Sequence, residues 1–224
     1  MSAALNPAIA SIQIPERMKK LPVDERGFPV PYFVSWIDGK PEFRVMDPGA
    51  FARCIKERAC WLCGETLGAN MAFVLGPMCA VNKVNSEPPS HLDCALYAAR
   101  ACPFLSRPHA KRRELDLPEA AGYQHAAGLP ILRNPGAVAV WVTKSYEVVK
   151  VDNGILFDVG PPLHVFWYCE GRTARRAEVI ASIDSGLPIL EDTCKMDKDP
   201  AAARAALKQM YLAVVKLVNR TTVV

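Results

Sequence analysis

No apolar run in this chain is long enough to cross a bilayer. Stretches such as "AVAVWV" and "HVFWYC" stop far short of the roughly 20 residues a spanning helix needs, so no membrane partner is expected. The first twenty residues, "MSAALNPAIASIQIPERMKK", place their basic residues after a weakly apolar part that Asn6 and Pro7 interrupt. That is not the order of a secretory signal, and a cytoplasmic location is the expectation. The 13 glycines are scattered and build neither a phosphate-binding loop nor a dinucleotide fingerprint. No G-x-S-x-G elbow is present, which removes the commonest serine hydrolase signature. Histidine is scarce, with four in the chain, and His109, His125 and His164 stand isolated from other ligand or nucleophile types. Repeats and low-complexity tracts are absent, so solenoids and disordered tails are not indicated.

Cysteine, by contrast, is plentiful and clustered. Of eight cysteines, Cys60, Cys63, Cys79, Cys94 and Cys102 fall within about a fifth of the chain. Cytosolic thiols are kept reduced, so such a cluster reads as metal-binding or catalytic and not as a disulfide framework. The rest of the composition, 50% hydrophobic and 22% charged, is that of a globular protein, and a net charge of +4 is mildly basic. That charge is compatible with a nucleic-acid partner without demonstrating one.

Along the chain, residues 1–31 are punctuated by proline and are expected to form an arm lying across the body. "YFVSWIDGKPEFRVMD" predicts a β-hairpin turning at Asp38-Gly39. Asp47 before Pro48 predicts a helix start, which "GAFARCIKERA" continues up to the "CWLCG" turn. "NMAFVLGPMCAV" reads as one or two short strands divided by Gly76-Pro77. Ser90 with Asp93 matches a capping box, so a helix is expected from about His91 to about Cys102. Residues 107–136 read as a connection. Four β-like runs between 137 and 169 suggest one antiparallel sheet. Two helices close the chain, one from Thr173 to Gly186 and one starting on Asp199-Pro200 with Leu207, Met210, Tyr211, Val214 and Val218 on its apolar stripe. Segregated strands and helices favour an α+β fold. The expected division is an arm (1–31), a metal module (32–106), the connection (107–136) and a sheet with C-terminal helices (137–224), one compact domain being the alternative.

The pattern C-x2-C-x27-H-x2-C, formed by Cys60, Cys63, His91 and Cys94, has the ligand chemistry of a structural zinc site. A tight turn closed by Gly64 aims both sulfurs of the first pair at one centre. His91 and Cys94 share one face at the start of a helix, whose dipole helps offset a thiolate-rich site, with Arg58 as the nearby cation. Cys79 is the alternative ligand to His91. Cys102 lies about two helical turns beyond Cys94, too far along the axis. Cys54, Cys169 and Cys194 read as small buried side chains. Two rival readings stand beside zinc: a redox dithiol at Cys60 and Cys63, disfavoured because a helix precedes the pair where such motifs open one, and an iron–sulfur ligand set with Cys79 replacing His91.

A knuckle, a hairpin-like segment and a helix that donates ligands from its first turn resemble a treble-clef zinc finger, over residues of about 60–100. The remaining chain is similar in layout to bacterial and phage proteins, a likeness that implies no activity. Treble-clef proteins include the HNH nucleases, but no histidine lies between Cys63 and Ser90, and Asn82 and Asn85 cannot act as general base. Glu114, Asp116 and Glu119 read as solvating the connection. Two basic groups could meet phosphate: Lys111, Arg112 and Arg113 after the zinc-bearing helix, and Arg172, Arg175 and Arg176 at the start of another, with Tyr123 the aromatic nearby. The reading is a zinc-stabilised binding protein with DNA or RNA narrowly preferred over a protein partner, and an HNH-related nuclease with an atypical site as the enzymatic alternative.

Overall fold

Asp38 and Gly39 both take positive φ (50° and 75°), the conformation that matches the twist of a two-residue hairpin. The turn joins β1 (Val34–Ile37) to β2 (Lys40–Met46) as a separate two-stranded sheet in the computed structural model, which describes residues 4–113, 127–128 and 133–220. Glu114, Asp116, Glu119, Tyr123, His125 and most of the expected connection lie outside the described residues. The Asp47 carboxylate caps α1 (Pro48–Lys56), accepting from the Ala50 amide at 2.6 Å.

After the cysteine turn come β3 (Met71–Leu75), α2 (Pro77–Asn82), β4 (Val84–Asn85), α3 (Leu92–Ala101) and the single-turn α4 (Pro103–Ser106). The run after Gly76-Pro77 is thus a helix and not a second strand. Pro77 sits at a helical position that needs no N–H donor, and Lys83 ends the helix in the left-handed region. The start of α3 also differs from expectation. Ser90 is held in a two-residue bridge with Ala72, two N–H···O bonds of 2.8 Å, so His91 becomes the N-cap. Asp93 therefore turns outward, accepting from Arg17 Nε at 3.0 Å and from the Cys94 amide.

The four β-like runs divide between two sheets. β5 (Ala137–Thr143) pairs with β3 and with β8 (His164–Cys169), which ends on the short β9 (Arg172–Thr173). β6 (Tyr146–Val151) and β7 (Gly154–Val159) form a hairpin with β4 at its outer side. All pairs are antiparallel. Residue chemistry sets this order. Every residue of β5 is buried, and its two faces meet different partners. Val138 and Val140 face Ala95 and Ala99 of α3, while Ala137, Ala139 and Trp141 join the main core. A strand buried on both sides belongs in the middle of a sheet. β6 carries Glu147 and Lys150 on either side of the exposed Val148 and Val149 and forms an edge.

The final helices are α5 (Arg176–Cys194) and α6 (Pro200–Arg220). Thr173 and Gly186 do not bound α5. Thr173 is absorbed into β9, and Glu178 reaches back to the Arg175 amide at 2.8 Å, making Arg175 the N-cap. Gly186 lies inside the helix because a Cβ there would stand 2.6 Å from Met78 Cγ, so its role is close approach to α2. In α6, Asp199 caps as expected, and Leu207, Val214 and Val218 are buried; Met210, placed on the apolar stripe by its spacing, is 40% exposed. The main core joins Phe73 and Val81 to Trp141, Val179 and Val214, so elements from both halves of the chain share one apolar cluster.

Glu178 carries a testable consequence. The Arg172 and Arg175 guanidinium groups and the Arg175 amide hold its carboxyl well below the usual carboxylate range. A depressed folded-state value stabilises above the unfolded value near 4.5, and the benefit disappears as pH falls through the folded value. Glu178→Gln is expected to cost about 1 kcal/mol at pH 7, or roughly 2–4 °C in melting temperature. The difference from the parent should shrink steadily below about pH 4 in thermal melts.

Candidate metal centre

Residues 59–66 form a small closed turn. Ala59 and Thr66 bridge, the Cys60 amide donates to the Glu65 carbonyl at 2.7 Å and the Gly64 amide to the Cys60 carbonyl at 2.9 Å. Gly64 has φ +76°, and a Cβ there would lie 2.8 Å from the Tyr32 ring, so both conformation and space demand glycine. The Trp61 amide donates to the Pro89 carbonyl, tying the knuckle to the segment that leads into α3. The Trp61 side chain is buried, stacked on Phe33 with ring centroids 4.5 Å apart.

Together with the Ala72–Ser90 bridge, these contacts bring four donors to one point. The ligand atoms of Cys60, Cys63, His91 and Cys94 all lie within 4.8 Å of one another, and the three cysteines are buried. A tetrahedral zinc ion with Zn–S of about 2.3 Å and Zn–N of about 2.0 Å implies S···S near 3.8 Å and S···N near 3.5 Å. Cys63 Sγ stands 3.4 Å from His91 Nδ1. The donor set could therefore hold a four-coordinate metal ion, and its three-sulfur, one-nitrogen chemistry is consistent with zinc.

Hydrogen bonds around the donors orient them. His91 Nε2 is 3.1 Å from the Thr66 carbonyl, which places the ring proton on Nε2 and leaves Nδ1 to face the sulfurs. The His91 amide donates to Cys60 Sγ at 3.4 Å. The donors compete for charge. Bonds from Cys63, Cys94 and His91 draw the Cys60 thiol far down, while Cys60 pushes Cys63 up to about 11 and Cys94 higher still. A dication ends that competition by favouring all three thiolates.

The charge partner differs from the one expected. Arg58 is directed to the Gly68 carbonyl and Met71, whereas Arg17, from the N-terminal segment, interacts with Cys94 and Cys63 while bonding Asp93. Glu65 joins this surface group, 3.6 Å from Arg17 and 2.5 Å from Lys20. Below it, Ile9, Ile12, Met18 and Phe28 pack in one cluster with Cys60, Cys63, Cys94 and Tyr97. Sequence reading missed Arg17 and Thr66, and no local signal marks either.

Cys79 does not join the donors: it sits on α2 against the main core, where burial pushes its thiol up to about 11. Cys102 caps the C-terminus of α3, Cys54 is buried beside Trp61, and Cys169 and Cys194 lie in the main core. His109 and His164 are exposed. The segment between the two ligand pairs is not a two-stranded hairpin, since β3 and β4 belong to different sheets with α2 between them.

The predicted basic residues form two separate groups. Lys111 bridges to Arg133, Arg112 lies over the Phe104 ring at 4.8 Å, and Arg113 pairs with Glu42. Arg172 and Arg175 share the Glu178 carboxylate, and Arg176 Nε donates to Asn219 at 2.6 Å. Among the described residues no helix is long and apolar enough to cross a membrane. No known protein family, curated protein or solved structure matches this chain.

Two outcomes are expected of the metal-loaded chain. Nitrogen-15 NMR should find His91 metal-bound through Nδ1 and protonated at Nε2; the opposite assignment would contradict the Thr66 contact. Chelation, or Cys94→Ser, should lower the melting temperature by on the order of 10 °C, because ligand binding energy is folding energy in such sites. Trypsin should then cut first around Arg17 to Lys20, since that segment packs on the ligands themselves.

Proposed function

We propose that the chain is a zinc-stabilised binding protein whose metal holds a scaffold and performs no reaction. The observation that carries this reading is the closed set of four protein donors, the buried Cys60, Cys63 and Cys94 with the half-buried His91. Catalytic zinc keeps a coordination position for water or substrate, and a complete Cys3His set leaves none. The knuckle and the donor-bearing first turn of α3 correspond to the ligand halves of a treble clef, with β3, α2 and β4 in place of its hairpin. A nuclease of the HNH kind would need a general base between the ligand pairs, and that stretch contains no histidine.

Nucleic acid is the partner we favour, with phosphate contacts from Lys111, Arg112 and Arg113 and a second contribution from Arg172, Arg175 and Arg176. The net charge of +4 and the exposure of these side chains, Arg112 being half-buried, support it. A protein partner is the second reading, favoured by Leu163 and Phe166, which leave apolar surface at β8 44% and 37% exposed. A cytoplasmic location accords with a thiol-rich metal site.

Elemental analysis tests the core of the proposal. About one zinc per chain is expected, with a clear loss in His91→Ala. Iron, or no metal together with reactive Cys60 and Cys63, would overturn it.

A further inference from the structure

We infer that the nucleic-acid surface is a composite one, in which Arg133 and Arg107 complete the Lys111–Arg113 group, and that it grips the phosphate backbone of a duplex without reading its bases. The inference rests on the nucleic-acid reading above and goes beyond it in naming the surface, the missing residues and the form of the partner.

The 107–113 segment is pinned along its length. The Asn134 side-chain amide donates to the carbonyls of Phe104 at 2.6 Å, Leu105 at 3.2 Å and Arg107 at 2.9 Å, and the Asn134 backbone amide donates to Ala110 at 2.9 Å. Lys111 pairs with Arg133 across an antiparallel bridge. At the far end, Arg44 Nε donates to the Arg113 carbonyl at 2.9 Å, tying the segment to β2. A run that reads as a loose charged loop is therefore a fixed row of cations, and fixed cations lose less entropy on meeting phosphate.

Charge balance separates this row from the other basic group. Among the described residues Arg133 bonds neutral acceptors, the Ser185 hydroxyl and carbonyl and the Asn134 carbonyl, and none of these offsets its charge. Of the row's cations, Arg113 pairs with Glu42. In the second group, Arg172 contacts both Glu178 and Glu170 and Arg175 contacts Glu178, which leaves a single guanidinium charge in excess. Non-specific affinity scales with the number of uncompensated cations placed against phosphate.

The form of the partner follows from the aromatic inventory. Single-strand binders stack bases on open rings, but among the described residues the ring in this patch, Phe104, is covered by the Arg112 guanidinium at 4.8 Å. Trp36, 51% exposed, shares its side of the hairpin with its partner Pro41, the side opposite Glu42 and Arg44. Backbone contact to a duplex is what remains.

The test measures binding of the zinc-loaded chain to a labelled duplex of about 20 base pairs over a range of salt concentrations. Arg107→Gln, Arg112→Gln and Arg133→Gln are each expected to weaken binding several-fold, equally for unrelated sequences, and to reduce the slope of log K against log salt by about 1. Arg175→Gln should have a smaller effect. Lys111→Gln supplies a further exposed position, and matched melting temperatures and zinc content confirm folding. A triple variant with parental affinity and slope, beside a large loss in Arg176→Gln, would overturn the surface while leaving nucleic-acid binding intact. Preference for single strands, with the same residues sensitive, would overturn the duplex assignment. If neither form binds the parent chain at low salt, the partner reading fails and this inference with it.

Discussion

The fold depends on bringing three sulfurs and one imidazole within 4.8 Å of one another in a buried place. Such a cluster is costly by itself, since each buried thiolate opposes the next, and it is favourable once a dication supplies the shared charge. What surrounds it is arranged for that purpose. The His91 amide points at the Cys60 sulfur, the Thr66 carbonyl fixes the His91 tautomer, and the first turn of α3 contributes its partial positive charge. The N-terminal segment closes over the donors with Met18 and Phe28 beneath and Arg17 at the surface, so the metal site is continuous with an apolar cluster and is not a surface decoration.

A second organising element is β5. Being apolar on both faces, it must be covered twice, by α3 on one side and by the core shared with α5 and α6 on the other. Because α3 also carries His91 and Cys94, the helix that covers the sheet is the helix that brings two of the four donors together. The Ala72–Ser90 bridge makes the link direct, setting β3 and the ligand pair in one register. A metal bound at these donors would stabilise the same helix that sheet packing holds.

The surface divides its charges unequally. Around Glu178 the guanidinium groups serve the start of α5, closing a cap and neutralising each other's acceptor. Around Asn134 the cations are presented by backbone bonds and, among the described residues, meet few carboxylates. Charge runs of similar appearance in the sequence thus take up different work, and the difference lies in which acid each run encounters.

Much was legible from residues alone, for physical reasons that are local. The Asp38-Gly39 turn, the Asp47 and Asp199 caps and the C-x2-C knuckle each rest on chemistry contained within a few residues. The pairing of that knuckle with His91 and Cys94 was legible because their spacing repeats the donor pattern of a tetrahedral metal. Tertiary structure decided what depends on distant neighbours. Ser90 lost its capping role to Ala72, Gly186 became a contact with Met78 where a helix end was expected, and Gly76-Pro77 opened a helix where a strand was read. Arg17, Thr66 and Arg133 acquired their places only when the chain closed on itself. Local rules set what each segment is able to form, whereas the side chain that finally meets a given donor, methyl or charge is chosen by packing across the whole chain.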